Sequence, residues 1–500
     1  MGMEALGKLT RRTALLGLGG LGGWSLSGLL RPNLPSLDGT SSLVATPSED
    51  MLNDASGLSP TPVHKHIVLN GDADNVLVSD IRRELAEAKL AGRPLNVGAA
   101  RHSMGGQAIP RNGTAITFDN DMVELDSGNQ TYRVHAGARW SQIINALDPA
   151  GYSPKVMQSN NDFGVAATFS VNAHGWPVPF GPMGSTVKNL RMVLPSGELV
   201  TCSPTENVDL YNLAMGGYGL IGVIVDLEVE MVRNSRLVPT VEVMPAASWA
   251  AAFGSAISDA AVTMAYGRLN VERAKFFSEA ILVTYRETSD QSGLPAASGS
   301  GWMSHVASRI YRGQLGDEPL KSFRWWNETF LGPALGGGEV TRNSLINEPV
   351  VTLDDRNPDR TDILHEYFVG LDRFDEFLTI CREVIPASYQ EFLNVTLRYV
   401  GKDDHSVLAY ATVPRIAAVM SFSQEMTMRA EADMARMTTA LIERITAIGG
   451  TYYLPYRPHA GLDQFVSCYS NAGQFVREKR QLDSSLVLRN NLWEKYLGKL

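Results

Sequence analysis

The sequence places an Arg-His-Ser triplet between glycines, in the stretch GAARHSMGGQ that spans residues 98–107. A turn accounts for the glycines, but it gives no reason for the imidazole of His102. Two more stretches rich in small residues follow, FGVAATFSVNAHG at 163–175, which contains His174, and GGYGLIG at 216–222. Small residues let a backbone approach a ligand closely and expose N–H donors to phosphate oxygens. Together the three stretches predict a binding site for a phosphate-bearing ligand with two histidines beside it.

Two stretches match the spacing G-x-G-x-x-G, and neither indicates a Rossmann nucleotide site. No strand precedes the first, GLGGLG at residues 17–22. The second, with Gly217, Gly219 and Gly222, runs into a strand-like segment instead of a helix. It therefore cannot direct a helix N-terminus at a pyrophosphate.

Short elements surround the three loops. A helical pattern, IRRELAEAKLAG, ends at a glycine and leads through the strand PLNVG into the first loop. The stretch KNLRMVLPSGELVTCS predicts a hairpin about its Pro-Ser-Gly turn. Because strands and helices mix without a regular βαβ repeat, the fold class is predicted as α+β. Longer strands and helices from about residue 236 predict a second α+β domain, and the aromatic tail is expected to pack back on the body.

Composition bounds the function. Five hundred residues exceed one usual hydrophobic core, so two domains are expected. A net charge of −9 argues against nucleic-acid binding, which needs a basic surface. The three cysteines lack C-x-x-C spacing and are interpreted as buried thiols: Cys202, Cys381 and Cys468. No metal site is predicted, since His64 and His66 have no third ligand nearby in the sequence.

The N-terminus predicts export. Arg11 and Arg12 precede a glycine-diluted apolar run over residues 14–30, a pattern typical of a twin-arginine signal. We expect residues 1–35 to be this signal and residues 36–60 to be a linker. The protein would then be periplasmic or extracellular, with the signal either cleaved or kept as a membrane anchor. This route carries folded proteins, which suits a chain that must load a cofactor first.

The loops resemble those of the vanillyl-alcohol oxidase/p-cresol methylhydroxylase (PCMH-type) family of FAD-linked oxidases. PLNVGAARHSMGGQA is similar to that family's strand and pyrophosphate loop, whose G-x-(G/R)-H-S sequence carries the histidine bound to the flavin 8α-carbon. The resemblance implies that His102 holds FAD covalently. VAATFSVNAHG and GGYGLIGVIVDLEV resemble the family's second and third FAD-binding stretches. REKRQLDSSLVLRNNLWEKYL resembles its C-terminal return, with Ser484 in place of a proline.

The resemblance implies a two-subdomain PCMH-type FAD-binding domain over residues 61–235 and an α+β substrate (cap) domain over residues 236–455. Residues 456–500 would return to the FAD-binding domain. The residues implied to contact the cofactor are Gly98, Ala99, Ala100, Arg101, His102, Ser103, Met104, Gln107, Ala166, Thr168, Ser170, Asn172, Gly175, Gly222 and Val223.

The cap segment resembles the aldonolactone and alditol oxidase branch in part. LNVTLRYVGKDD is similar to its substrate-binding strand, which bears Glu-x-Arg; here Arg398 is kept and Thr396 stands where the acid would be. RPHAGLDQF is similar to the branch's Pro-His-Trp-Gly-Lys segment without the tryptophan and lysine. Arg398 and His174 are the candidate catalytic residues, the first for a substrate oxygen.

The resemblance implies an oxidoreductase that passes a hydride from a CH–OH group of a sugar, polyol or aldonolactone to FAD. Electrons then leave to O2 or another acceptor. The expected partners are a small-molecule substrate and that acceptor, with no stable protein partner evident. Two alternatives stay open. ARHSMGGQA also resembles the cytokinin-dehydrogenase branch, which oxidises a C–N bond. A flavin-carrying or sugar-binding protein without turnover is the other alternative.

Overall fold

The computed structural model describes residues 41–299, 302–331, 338–349 and 357–500. The signal predicted over residues 1–35 lies outside these ranges. The strands are β1 (Met51–Leu52), β2 (Thr61–Pro62), β3 (Lys65–Leu69), β4 (Leu95–Val97), β5 (Thr114–Phe118), β6 (Val123–Asp126), β7 (Thr131–His135), β8 (Tyr152–Pro154), β9 (Val187–Val193), β10 (Leu199–Cys202), β11 (Val223–Arg233), β12 (Arg236–Pro245), β13 (Val262–Leu269), β14 (Glu279–Glu287), β15 (Val340–Thr341), β16 (Arg360–Val369), β17 (Glu391–Val400), β18 (Arg415–Glu425) and β19 (Thr451–Tyr452).

Helices alternate irregularly with these strands, so the α+β class is confirmed. The α-helices of the described ranges are α1 (Val76–Leu90), α2 (Trp140–Leu147), α3 (Val165–Ser170), α4 (Val208–Ala214), α5 (Ala246–Ile257), α6 (Trp302–Gly313), α7 (Glu318–Trp326), α8 (Arg342–Leu345), α9 (Phe374–Val384), α10 (Met428–Ala447), α11 (Leu462–Cys468), α12 (Ala472–Leu482) and α13 (Asn491–Lys495).

A small parallel sheet in the order β3-β5-β4 supports the first loop. Helix α1 connects β3 to β4 and buries Leu77, Ile81 and Leu85 at helical spacing. It contains most of the segment predicted as helical from Ile81 and begins earlier, at Val76. The helix ends before Gly92, whose φ of +63° suits a residue without a Cβ. Strand β4 therefore delivers the chain directly into the loop at residues 98–107.

A second, antiparallel sheet has the order β10-β9-β11-β7-β6, with β8 paired to the end of β11. The hairpin predicted around residues 195–197 is confirmed, since β9 and β10 pair antiparallel with Val193 opposite Leu199. Gly197 takes a φ of +89° in its turn. The third loop, 216–222, enters β11 at the middle of this sheet.

The segment after residue 235 forms an antiparallel sheet of eight strands, in the order β15-β12-β14-β13-β17-β18-β16-β19. Helix α5 packs on β13 and β14, while α9 and α10 pack on each other and α10 also packs on β16 and β18. The sheet's central strands bring residues 366, 396 and 419 into one lateral row. This row forms part of the candidate site.

The C-terminal segment packs back on the small parallel sheet, as expected. Leu95 N donates to Val487 O at 2.7 Å, and Asn490 Nδ2 donates to Tyr218 O at 3.0 Å. Residues 41–60, the described part of the predicted linker, also contact the body: β1 pairs with β2, and Asp54 Oδ2 accepts from Gly106 N at 2.7 Å. One continuous hydrophobic core joins the parallel sheet, the second sheet and the eight-stranded sheet. All three cysteines are buried and unpaired, as predicted.

Candidate functional site

A cleft lies between the loops of the two smaller sheets and the central strands of the eight-stranded sheet, with residues 453–456 closing one side. Its volume is about 250 Å³. The sequence-predicted residues that line it are Gly98, Ala99, Ala100, Arg101, His102, Ser103, Gln107, Ala166, Thr168, Ser170, His174, Gly222, Val223 and Arg398. The structure therefore brings all three loops and both candidate catalytic residues to one place.

Hydrogen bonds at both ends hold the first loop. Gly98 N donates to Ile116 O at 2.8 Å, which continues the pairing of β4 with β5. At the other end, Gln107 Nε2 donates to Leu454 O at 2.6 Å and to Tyr456 O at 2.9 Å. The loop is thus fixed to the chain that closes the cleft, and its shape is set before a ligand arrives.

Arg101 is placed to receive an anion. It has a φ of +54°, and no Asp or Glu of the described ranges forms an ion pair with it. Its Nη2 donates to Thr117 Oγ1 at 3.2 Å, while its buried Nε has no acceptor. Burial lowers the pKa of this guanidinium from its usual value. Both amide atoms of Asn96, which also lines the cleft, are buried without a partner. These unmatched donors fit a diphosphate, so the residues present fit FAD.

His102 lies against Phe163, with 4.2 Å between the ring centroids. Burial is the main influence on the pKa of His102 and lowers it, with Arg139 acting in the same direction and Asp162 opposing both. The imidazole is therefore neutral near pH 7, and one ring nitrogen keeps its lone pair. This is the state that a nucleophilic attachment to a cofactor requires.

The second loop touches the first through small residues. A Cβ added at Gly164 would lie 2.3 Å from Ala99 Cβ, so the two loops can meet only if residue 164 has no side chain. Helix α3 follows, and its Thr168 Oγ1 donates to Gly164 O at 2.7 Å and accepts from Trp140 Nε1 at 3.0 Å. These bonds hold α3 beside the cleft.

Three predicted cofactor residues lie outside the cleft lining, and each has a packing role there. Met104 N donates to Pro455 O at 2.7 Å, which ties the loop to the chain that closes the cleft. Asn172 uses its amide on Asp403, Ser406 and Gly184 N, at 2.7–2.9 Å. Gly175 faces the backbone, since a Cβ there would lie 2.0 Å from Met157 O.

His174 is paired with a carboxylate that the sequence analysis did not single out. Its Nε2 hydrogen-bonds to Glu366 Oε1 of β16, and both side chains are buried, with relative exposures of 4% and 2%. His174 Nδ1 has no partner, and the ring of Phe368 packs edge-on, with centroids 5.6 Å apart. The available signal was a glutamate within the apolar strand segment HEYFV, where an unpaired charge is costly.

Arg398 lies on the same face of the sheet as Glu366. Strand pairing places Thr396 opposite Val419, and Val419 opposite Glu366. The related strand of the aldonolactone branch has a glutamate where this chain has Thr396, and here a carboxylate, that of Glu366, lies in the same row two strands away. Arg398 Nη2 donates to Ser159 Oγ at 2.9 Å. Burial lowers the pKa of Arg398, and the negative charge of Glu366 opposes that effect.

The residues in and beside the PHAG segment divide between the cleft and the support of the first loop. Tyr456 lines the cleft, but His459 lies away from it, with Nε2 hydrogen-bonded to Glu431 Oε1 at 2.9 Å. Arg457 also pairs with Glu431 and donates through Nη1 to Met104 O at 3.1 Å. This segment therefore braces the first loop from behind.

Comparisons with known proteins agree with the three loops. Residues 78–203 match the family described as an FAD binding domain. A "Putative D-arabinono-1,4-lactone oxidase" of Neurospora crassa is 26% identical over 157 residues, 31% of this chain and 28% of that protein. L-galactono-1,4-lactone dehydrogenase 2, mitochondrial, of Oryza sativa subsp. japonica is 26% identical over 194 residues, 38% and 33% of the two chains. Cytokinin dehydrogenase 9 of the same plant is 26% identical over 176 residues, which are 33% of this chain and 34% of that protein.

The fold and site define a flavoprotein with an FAD-binding domain. The matched segment is similar to the PCMH-type FAD-linked oxidases near the aldonolactone oxidase branch, which agrees with the resemblance stated from the sequence. The matched segments span about a third of the length of these curated relatives. In the described part of the chain, no helix has the length and apolarity to cross a membrane, and no cluster of His, Cys, Asp or Glu could hold a metal ion.

Proposed function

We propose that this chain is an FAD-linked oxidoreductase that oxidises a CH–OH group of a sugar, polyol or aldonolactone, with O2 or another acceptor taking the electrons. The observation that carries the proposal is the cleft itself. Loops of the FAD-binding domain form one side of it, and the other side presents Glu366, His174 and Arg398. The relatives named as lactone oxidases and dehydrogenases support this class of substrate.

The proposed division of labour follows the geometry. Arg101 and Asn96 would bind the diphosphate, and the small residues Ala99 and Ala100 would allow its close approach. His102 would hold the cofactor through a covalent link to its imidazole. We also propose the two-subdomain arrangement for residues 61–235, with residues 236–455 as the cap. Export through the twin-arginine segment is part of the same proposal, because a covalent flavin is best loaded before export.

Bound FAD supplies the hydride acceptor. As the substrate C–H bond breaks toward that acceptor, the hydroxyl O–H bond breaks and a C=O bond forms. Glu366 accepts the hydroxyl proton at Oε2, since Oε1 is occupied by His174. His174 is a positioning residue that holds this carboxylate, and Arg398 binds a substrate oxygen. Burial by residues 453–456 keeps water from the reacting carbon.

The first test is to denature purified holoprotein in acid and to map the peptide that contains residues 98–107 by mass spectrometry. We expect a flavin-sized adduct on His102, fluorescence of the protein band on a denaturing gel, and loss of both in His102→Ala. Flavin released by acid from the wild type would contradict the covalent link. Protein that takes up no flavin on reconstitution would contradict the whole proposal.

Turnover is tested by adding substrates to the holoprotein without oxygen. A polyol or an aldonolactone is expected to bleach the oxidised flavin. Bleaching by amines alone would favour C–N oxidation instead, the alternative to which the cytokinin dehydrogenase relative points. Flavin that stays oxidised with every compound would favour a binding protein without turnover.

A further inference from the structure

Arg398 is a buried cation without a carboxylate of its own. No Asp or Glu of the described ranges forms an ion pair with it, and its side chain donates a hydrogen bond to the neutral Ser159. Its Nε is buried without an acceptor. The guanidinium lies 5.9 Å from the ring of Trp176, whose Nε1 is a second buried donor without an acceptor. Unpaired buried donors of this kind are costly unless a ligand completes them.

The nearby carboxylates bond to side chains other than Arg398. Glu366 is bonded to His174 through Oε1. On the neighbouring strand β13, Arg268 lies opposite Thr396 in the strand register. Thr396 and Arg398 are two residues apart on β17, so the side chains of Arg268 and Arg398 lie on the same face of the sheet. Arg268 lies 3.4 Å from Glu328 Oε1, and the same oxygen accepts from Arg324 Nε at 2.8 Å. One glutamate thus serves two guanidinium groups and is not available to Arg398.

The cofactor accounts for only one of the two unpaired arginines in the cleft. Arg101 lies on the first loop, where the diphosphate is proposed to bind, whereas Arg398 lies on the sheet opposite. Arg268 and Arg324 both pair with Glu328. Among the described residues, Arg398 is the guanidinium of these three that forms no ion pair.

We propose that the substrate carries a carboxylate that binds Arg398, so that the substrate class is a hydroxy acid, such as a sugar acid, in place of a neutral polyol or lactone. A guanidinium binds a carboxylate through two parallel hydrogen bonds, which would satisfy Nε. The hydroxyl to be oxidised then lies toward Glu366. This inference rests on the proposed oxidation of a CH–OH group by an FAD-linked enzyme, and it changes the expected substrate from a neutral compound to an acid.

The test titrates the oxidised holoprotein with pairs of compounds that differ in the carboxylate: glycolate and ethylene glycol, D-lactate and 1,2-propanediol, D-gluconate and D-glucitol. Binding is followed by the change in flavin absorbance. At least one acid is expected to bind at least tenfold more tightly than its neutral partner. Arg398→Met should weaken binding of that acid about 10- to 100-fold and weaken binding of its neutral partner much less. Arg398→Lys should restore part of the affinity.

Arg360→Met is the matched control, because Arg360 lies on β16 outside the cleft and pairs with Glu425. It should bind acids as the wild type does. Equal affinity for acids and neutral partners, or an equal loss of both in Arg398→Met, would overturn the inference. In that case Arg398 serves an uncharged oxygen or the flavin. If neutral compounds still bleach the flavin in that case, the proposed function stands and only the inference fails. If the protein carries no flavin, both the proposed function and the inference fail.

Discussion

At the scale of single residues, the side chains around Glu366 support its proposed role as the proton acceptor. His174 holds one carboxylate oxygen from one side, and Arg398 is close enough for its pKa to respond to the negative charge. On a third side, burial raises the pKa of Tyr456 far above its usual value, and Glu366 adds to that effect. The phenol therefore stays protonated and can donate. A substrate hydroxyl that enters this group of side chains meets one carboxylate able to accept its proton.

Replacing Glu366 with Gln should lower kcat/KM for the bleaching substrate by about 10²- to 10⁴-fold, because the proton acceptor is lost while the shape is kept. Glu425→Gln is the control, since that carboxylate lies at the end of β18 and outside the cleft. Activity within threefold of the wild type in Glu366→Gln, with normal flavin content, would refute the assignment.

At the scale of elements, the site depends on the contact between the first loop and the start of α3. Gly164 and Ala99 meet where any larger pair would collide. The first loop is tied at residues 98 and 107, and α3 is tied through Thr168, so neither can withdraw easily. A closely packed contact of this kind resists added volume.

Gly164→Ala should therefore separate the two loops and reduce the flavin carried by purified protein several-fold, with a loss of about 1–3 kcal/mol in the free energy of unfolding. Flavin absorbance per protein and urea unfolding measure the two effects. The matched variant is Gly338→Ala, where a Cβ would meet no atom within 4 Å. Equal flavin content in both variants would show that this contact does not shape the site.

At the scale of the whole molecule, a buried polar network joins the parts that form the cleft. His365 Nε2 lies 3.2 Å from Thr438 Oγ1 of α10, and His459 Nδ1 lies 3.2 Å from the same hydroxyl. His459 continues to Glu431, and Arg457 connects that carboxylate to the first loop. Burial lowers the pKa of His365 to about 3, with His459 and Arg457 acting in the same direction and Glu431 opposing.

This network predicts that the protein loses stability in mild acid. The pKa of His365 is about 3 in the folded state and about 6.5 when unfolded, so the unfolded chain binds the extra proton between these values. The stabilisation is complete above pH 6.5 and declines as the pH falls toward 3. His365 alone contributes a slope of up to about 1.4 kcal/mol per pH unit.

Urea unfolding between pH 7.5 and pH 4.5 measures that slope. His365→Leu should reduce the slope of the free energy of unfolding against pH by about 1.4 kcal/mol per pH unit, the contribution of one titrating proton. His64→Gln replaces an exposed histidine and should leave the slope as it is in the wild type. An unchanged slope in His365→Leu would assign the acid sensitivity to other groups.

The sequence by itself determined the local features. The helix before β4, the 195–197 hairpin and the three loops of small residues could be predicted, because periodicity and turn chemistry act over a few residues. The resemblance of these loops to the PCMH-type family implied His102, Arg101 and Gly98 as cofactor residues. It also implied the FAD-binding domain, and the family match over residues 78–203 agrees.

Only the tertiary structure decided which side chains share the cleft. Glu366 and His174 are 192 residues apart, and the register of β16, β18 and β17 places that carboxylate in line with Thr396. The same packing turned Asn172 and His459 to structural partners away from the cleft. Strand order and register are set by burial over the whole sheet, so no local pattern contains them.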